Sequence, residues 1–171
     1  MKRASGAPLA IYDTLSREVR EVVASDSETV RIYCCGPTVY RDAHIGNLRT
    51  FLLADLARRT LEFSGLKVRL VQNITDVGHM SEDFEEDKMI AAAKAEQRDP
   101  YAIAREYEER FHQDCAALNI KAADEYPRAS ECIDLMIDAI QELIAKGFAY
   151  QGEDGSVYFD AAKFESYGAL S

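Results

Sequence analysis

No run of the 171-residue chain is long, uncharged and apolar enough to span a bilayer. The opening Met-Lys-Arg-Ala-Ser-Gly-Ala-Pro-Leu lacks the apolar core of a signal peptide. Both absences predict a cytoplasmic protein with no membrane partner. Cysteine is scarce and poorly placed for a disulfide framework. Of the four, Cys34 and Cys35 are adjacent, while Cys115 and Cys132 lie far downstream. Reduced thiols are expected, with Cys35 a candidate metal ligand. The glycine fingerprints of dinucleotide and P-loop sites are missing. So are internal repeats and low-complexity segments. Positive charge is in deficit, at 20 Lys and Arg against 30 Asp and Glu, a formal net charge of −10. Such a chain should not grip a nucleic-acid backbone strongly by itself.

What is present is enough for one domain with a real core, since apolar residues make up 47%. Val30 to Cys35 is rich in β-branched and aromatic residues and stops at Gly36-Pro37, which predicts a buried strand ending in a turn. From Asn47 to Ser64 the pattern is helical, with Leu48, Leu52 and Leu56 on one stripe, Phe51 beside them, and Gly65 as a stop. Lys67 to Asn73 reads as a second buried strand. Strand, helix, strand predicts a right-handed crossover with the two strands parallel. Open sheets of this kind bind ligands beyond the carboxyl ends of their strands. The loop into the helix, Gly36 to Asn47, is therefore the candidate site. Free N–H groups and the positive end of a helix dipole suit a phosphate there. Gly46 lacks a Cβ, so a nucleotide can lie against the backbone. His44 and Asn47 flank it as donors, in place of the extra glycines or lysine of other nucleotide loops.

Cys35-Gly-Pro-Thr-Val-Tyr40 followed by His44-Ile-Gly-Asn47 resembles the class I aminoacyl-tRNA synthetases, and closely the cysteinyl-tRNA synthetases. His44 to Asn47 stands where that class carries its His-Ile-Gly-His signature. Cys35 stands where the cysteine enzymes carry their first zinc ligand. Asn73-Ile-Thr-Asp76, Tyr126-Pro-Arg-Ala129 and Tyr167-Gly-Ala-Leu-Ser171 also match the family. The resemblance covers nearly the whole chain but only the front of the enzyme. It implies an α/β fold with a Rossmann-like parallel sheet, a helical insertion and a small hairpin. Residues 1–80 would be the front half of the nucleotide-binding domain. Residues 81–171 would be a mostly helical connective insertion.

By the same resemblance, ATP and cysteine react to cysteinyl-adenylate, and cysteine then passes to tRNA(Cys). Mg-ATP is the substrate. Gly36, Thr38, Tyr40, His44, Gly46 and Asn47 contact the nucleotide, with His44 and Asn47 catalytic. Cys35, Gly36 and Thr75 contact the amino acid. Zinc is implied at Cys35, because a thiolate-seeking metal separates cysteine from serine. The family's other zinc ligands lie beyond Ser171. His79, His112 and Cys115 are the only spare candidates here, and Cys115 on an apolar helix face reads better as a structural thiol. Asn47 replaces the second histidine of the signature and can donate a hydrogen bond but carry no charge. A Lys-Met-Ser-Lys-Ser loop is absent; Lys88-Met89 is not one. Two functional readings stay open. One is the front catalytic half of a cysteine–tRNA ligase, cut from a longer chain or completed by a second polypeptide. The other is a relative that binds nucleotide or a partner without charging tRNA. An exposed apolar face is expected where the missing half would dock, and its absence would argue for an independent domain.

The remaining segments read as scaffold. Pro8 to Thr14 is a short apolar patch, Glu18 to Val23 an edge strand, and Ser25 to Glu28 a turn. Asn73 and Asp76 have a second reading as turn residues bonded to their own backbone. The acidic run Ser81 to Asp87 reads as a solvated face, or less simply as a lid. Lys88 to Gln97 is helical. Asp99-Pro100 caps a helix to about Leu118, burying Tyr107, Phe111, Cys115 and Leu118. Glu131 to Lys146 is a second amphipathic helix on Ile133, Ile137, Ile140 and Ile144, stopped by Gly147. Phe148 to Tyr150 and Val157 to Phe159 flank a hairpin turn.

Overall fold

The structure is a computed structural model and describes residues 9–24, 29–78 and 97–170. The turn expected over 25–28, His79, the acidic run 81–87 and all but the last residue of the helix expected over 88–97 lie outside those residues. The elements are β1 (Ala10–Asp13), β2 (Glu18–Glu21), β3 (Thr29–Cys34), α1 (Ile45–Phe63), β4 (Lys67–Gln72), α2 (Pro100–Ala117), α3 (Ile133–Ala145), β5 (Ala149–Gln151) and β6 (Val157–Phe159). A 3-10 turn, Ala129–Cys132, precedes α3. The protein is mixed α/β. No helix among the described residues is long and apolar enough to cross a membrane.

The described residues fall into two compact units, one drawn from residues 9 and 21–130 and the other from residues 10–20 and 131–170. The first holds the parallel pair. β3 and β4 run in register from Thr29↔Lys67 to Cys34↔Gln72, as the strand–helix–strand pattern predicts. The outer edge of β4 does not stand open. Gln72 N–H donates to the Glu125 carbonyl at 3.0 Å and Ile74 N–H to the Pro127 carbonyl at 2.9 Å. That satisfies backbone groups a buried edge would otherwise strand.

Helix α1 ends at Gly65, whose φ of 87° only glycine adopts readily. Of the expected stripe, Leu48 packs against the core and Phe51 is buried, but Leu52 and Leu56 are 38% and 53% exposed. The buried face carries Phe51, Asp55, Arg58 and Leu61. Polar bonds decide that orientation. Asp55 Oδ1 accepts from the Lys121 N–H at 3.0 Å, and Arg58 donates to the Ala122 carbonyl at 2.8 Å and to Asp124 at 3.1 Å. Turning the leucines inward would leave these groups unpaired, which costs about 1–3 kcal/mol each.

Helix α2 starts as its sequence predicts, with the Asp99 carboxylate accepting from the Ala102 N–H at 3.0 Å and proline at the first turn. Ile103, Ala104, Phe111 and Cys115 are buried and Tyr107 is half-buried. Leu118 is exposed, because the helix ends at Ala117 and the chain turns away through Asn119, at φ 58°. Phe111 meets Phe51 of α1 edge-to-face, with ring centroids 5.2 Å apart. Such a pair adds about 0.5–1.5 kcal/mol beyond its area.

Glu108, on the buried face of α2, is held by Arg128 and Arg105, the latter at 2.7 Å. Burial works to raise its carboxyl pKa, but hydrogen bonds from Arg128 and Arg105 outweigh it and the net shift is downward. A carboxylate depressed on folding contributes stability above its unfolded pKa, and that contribution is lost as pH falls through the folded value. Each unit is worth about 1.4 kcal/mol. Stability should therefore fall as pH drops below the ordinary glutamate range, and Glu108→Gln should flatten that dependence. Urea melts at pH 7 and through the acid range test this; parallel pH profiles for variant and parent would refute it.

In the second unit, β5 and β6 pair antiparallel as expected, with Tyr150 opposite Tyr158. Phe148, Phe159 and Phe164 form a small aromatic cluster, with centroids 6.1–6.4 Å apart. Helix α3 buries none of its residues; Ile133, Ile137, Ile140 and Ile144 all remain exposed. β1 and β2 pair in a separate two-stranded sheet.

Candidate functional site

The parallel pair delivers two loops to one edge, and the loops continue its pairing. Thr75 N–H donates to the Pro37 carbonyl at 3.0 Å, and Val39 N–H to the Thr75 carbonyl at 3.1 Å. Asn73 locks them together. Its Oδ1 accepts from the Gly36 N–H at 3.0 Å and the Tyr33 hydroxyl at 2.9 Å, and its amide donates to the Thr75 hydroxyl at 3.0 Å. Asn73 therefore bonds across to the β3 loop rather than only within its own turn. Asp76 also reaches far. Buried, it accepts from the Ser130 N–H at 2.9 Å and hydroxyl at 2.7 Å, and from Arg105 at 3.2 Å.

Gly36 lies where the two loops touch. A methyl group at this position would sit 1.6 Å from the Asn73 carbonyl oxygen. Beyond it the chain rises around a cavity of about 250 Å³ lined by Gly36, Thr38, Tyr40, Asp42 and Asn47. Tyr107 and Phe111 of α2 complete the wall. Four of the residues assigned to a nucleotide, Gly36, Thr38, Tyr40 and Asn47, thus share one cavity. Thr75 lies behind the loop, bonded to Pro37 and Val39, and does not line it. Cys35 is exposed and stands next to the lining in the chain, but is not part of it.

His44 and Gly46 stand at the start of α1 beside Asn47. His44 is the N-cap: its Nδ1 accepts from the Gly46 N–H at 3.0 Å and the Asn47 N–H at 3.4 Å. Asn47 answers with its Oδ1, accepting the His44 N–H at 3.2 Å. This is a reciprocal capping box built from histidine and asparagine. The glycine between them has a steric reason, since a Cβ at Gly46 would lie 2.9 Å from the His44 ring. The space that the missing side chain was expected to leave for a ligand is taken by the imidazole.

The cap fixes the tautomer. An Nδ1 that accepts carries no proton, so the ring proton sits on Nε2. Nε2 makes no hydrogen bond among the described residues. The helix start thus presents Nε2–H of His44, with the Asn47 amide opening on the cavity beside it, rather than a row of bare N–H groups.

The thiols divide by burial. Burial, helped by Asp114, pushes the Cys115 thiol up to about 11, so it keeps its proton at neutral pH. Burial also raises Cys34, with a smaller push from Cys35. Among the described residues no three His, Cys, Asp or Glu side chains cluster to hold a metal ion. His112 stands 4.0 Å from Glu108 and packs on Tyr126. The described residues therefore do not make a zinc site.

Arg41, Asp42, Tyr107 and Phe111 are among the lining residues that sequence reasoning did not single out. Tyr107 and Phe111 read there as core. No local pattern ties a helix that starts about fifty residues downstream to this loop.

Residues 21–171 match a family model described as tRNA synthetases class I (C) catalytic domain. The chain is 45% identical over 163 residues to the Cysteine--tRNA ligase of Chlamydia caviae, covering 95% of this chain and 32% of that protein. It is 46% identical over 166 residues to Cysteine--tRNA ligase 1 of Burkholderia lata, covering 96% and 35%. Against the Cysteine--tRNA ligase of Pyrococcus horikoshii it is 42% identical over 163 residues, covering 95% and 32%. The chain spans about a third of the length of these curated relatives.

Proposed function

Because the chain belongs to the class I (C) tRNA synthetase catalytic family, we propose that it is the front part of a cysteine–tRNA ligase active site, which activates cysteine with Mg-ATP for transfer to tRNA(Cys). The observation that carries this reading is the cavity at the carboxyl edge of β3 and β4. It gathers Gly36, Thr38, Tyr40 and Asn47, the last capped against His44, whose Nδ1 is taken by the cap and whose Nε2–H makes no hydrogen bond among the described residues. Residues 1–80 supply the front half of a Rossmann-like nucleotide domain. Residues 81–171 supply the connective insertion, whose helix α2 packs back on that front half.

The chemistry needs no protein nucleophile. A cysteine carboxylate oxygen bonds to the α-phosphorus, the bond to the bridging oxygen breaks, and pyrophosphate leaves. The protein orients the reactants and stabilises the phosphate oxygens as their charge shifts. His44 donates through Nε2 while Nδ1 stays in the cap. Asn47 donates through its amide while its carbonyl serves the cap. Gly36, pressed against Asn73, gives the ligand a flat backbone floor. Cys35, exposed at the end of β3, would hold a zinc by one thiolate, and the metal would supply selection of thiol over hydroxyl; the resemblance assigns its other donors to the remainder of the ligase. Thr75 reaches the amino acid only through the loop it braces.

The leucine face of α1 and the isoleucine face of α3 remain exposed, and they fit the rest of the ligase, on the same or a second polypeptide. The second reading rests on length. A chain spanning a third of its relatives can bind nucleotide without completing the reaction. Cysteine-dependent exchange of pyrophosphate into ATP, run with and without zinc on the purified chain, separates the two. Exchange that needs cysteine supports the ligase reading; ATP binding with no exchange supports the second. A chain that does neither would sink both.

A further inference from the structure

We propose that Arg110, on helix α2, is a positioning residue of the cavity that masks the carboxylate of Asp42 from an anionic ligand. This rests on the nucleotide reading above and adds a charge requirement to it.

Asp42 lines the same cavity as Asn47. A bare carboxylate there would repel any phosphate lying against the His44–Asn47 turn. Arg110 cancels it, with Nη2 2.6 Å from Asp42 Oδ2. The guanidinium is itself held from two further sides. Its other nitrogen lies 3.9 Å from Glu106, and its plane sits over the Tyr107 ring with Cζ 5.2 Å from the centroid. A cation fixed at three points is pre-organised to stay on its partner.

Stability does not account for this arrangement. Both side chains are about half exposed, and exposed pairs of this kind add little to folding. The same segment is already pinned at its ends, by Thr75 at Val39 and by the capping box at His44. The pair's distinctive consequence is electrostatic: Arg41 and Asp42 both line the cavity, and masking Asp42, the one carboxylate of the lining, leaves the Arg41 cation without an opposing charge on the wall.

The test uses four forms of the full chain: the parent, Arg110→Ala, Asp42→Asn and the double variant. Each is titrated calorimetrically with Mg-ATP and with adenosine. Arg110→Ala should weaken Mg-ATP about tenfold and leave adenosine within about twofold. The double variant should bind Mg-ATP within about twofold of the parent, because no charge is left to mask. Equal Mg-ATP affinity in Arg110→Ala and the parent would overturn the proposal while leaving the nucleotide site standing. So would a double variant as weak as Arg110→Ala, or an equal loss for adenosine, since each marks a purely structural role. A parent chain that binds neither ligand would overturn the nucleotide reading and this inference with it.

Discussion

Gly36→Ala is expected to destabilise the protein severely, although it adds only one methyl group. The new Cβ would meet the Asn73 carbonyl oxygen at 1.6 Å and its carbon at 2.7 Å. Both are backbone atoms, so no side chain can swing aside. Relief requires the β3 and β4 loops to part, which breaks the Thr75–Pro37 and Val39–Thr75 hydrogen bonds and frees Asn73 from Gly36. Overpacking commonly costs about 1–3 kcal/mol, and a forced backbone shift belongs at the top of that range or above. For a chain of this size about 3 kcal/mol lowers the melting temperature by roughly 6–12 °C. Circular dichroism melts measure it directly. The same variant should lose ligand binding, because the parted loops form the cavity floor. A melting curve unchanged from the parent would mean the loops do not meet at Gly36.

The second large effect is at His44, where two roles can be pulled apart. His44→Ala removes both the cap acceptor and the Nε2 donor. His44→Asn keeps an acceptor for the helix N–H groups, since asparagine is a strong N-cap, but its shorter side chain puts no donor at the Nε2 position. Removing one donor to a phosphate transition state typically costs on the order of a hundredfold in rate. Loss of a cap costs about 1 kcal/mol of stability. Both variants should therefore lose about a hundredfold in cysteine-dependent exchange, with Mg-ATP affinity as the measure where the chain does not turn over. Only the alanine variant should melt earlier. An asparagine variant as active as the parent would reduce His44 to a helix cap.

Much of this architecture is legible locally. The stop at Gly36-Pro37, the glycines after α1 and α3, the Asp99-Pro100 start of α2 and the β5–β6 hairpin follow from short-range backbone chemistry, and the structure places each where that chemistry predicts. The inward faces of α1 and α2 were not fully legible. On α1 the leucine stripe predicts the buried side, yet Asp55 and Arg58 face inward, because their partners lie at Lys121 to Asp124. On α2 the expected Leu118 is exposed, and Glu108 is buried on two arginines. A hydrophobic pattern records transfer preference and says nothing of a charged group whose partner lies far along the chain.

The site divides along the same line. Sequence alone marked the His44–Asn47 turn, the Cys35-Gly36 corner and the Asn73–Asp76 tetrapeptide, because each is a contiguous run with its own chemistry. It also determined the family, since those runs sit in a shared order along the chain. Tertiary structure alone decided how the parts address a ligand. Folding turned His44 so that Nδ1 is consumed and Nε2 presented, set Asn73 against Gly36, and brought Tyr107, Phe111 and Arg110 to a loop remote in sequence. Those outcomes depend on side-chain direction and on packing between distant segments. Neither quantity is carried by residue order, because a hydrogen bond exists only once both of its partners have been brought to within about 3 Å.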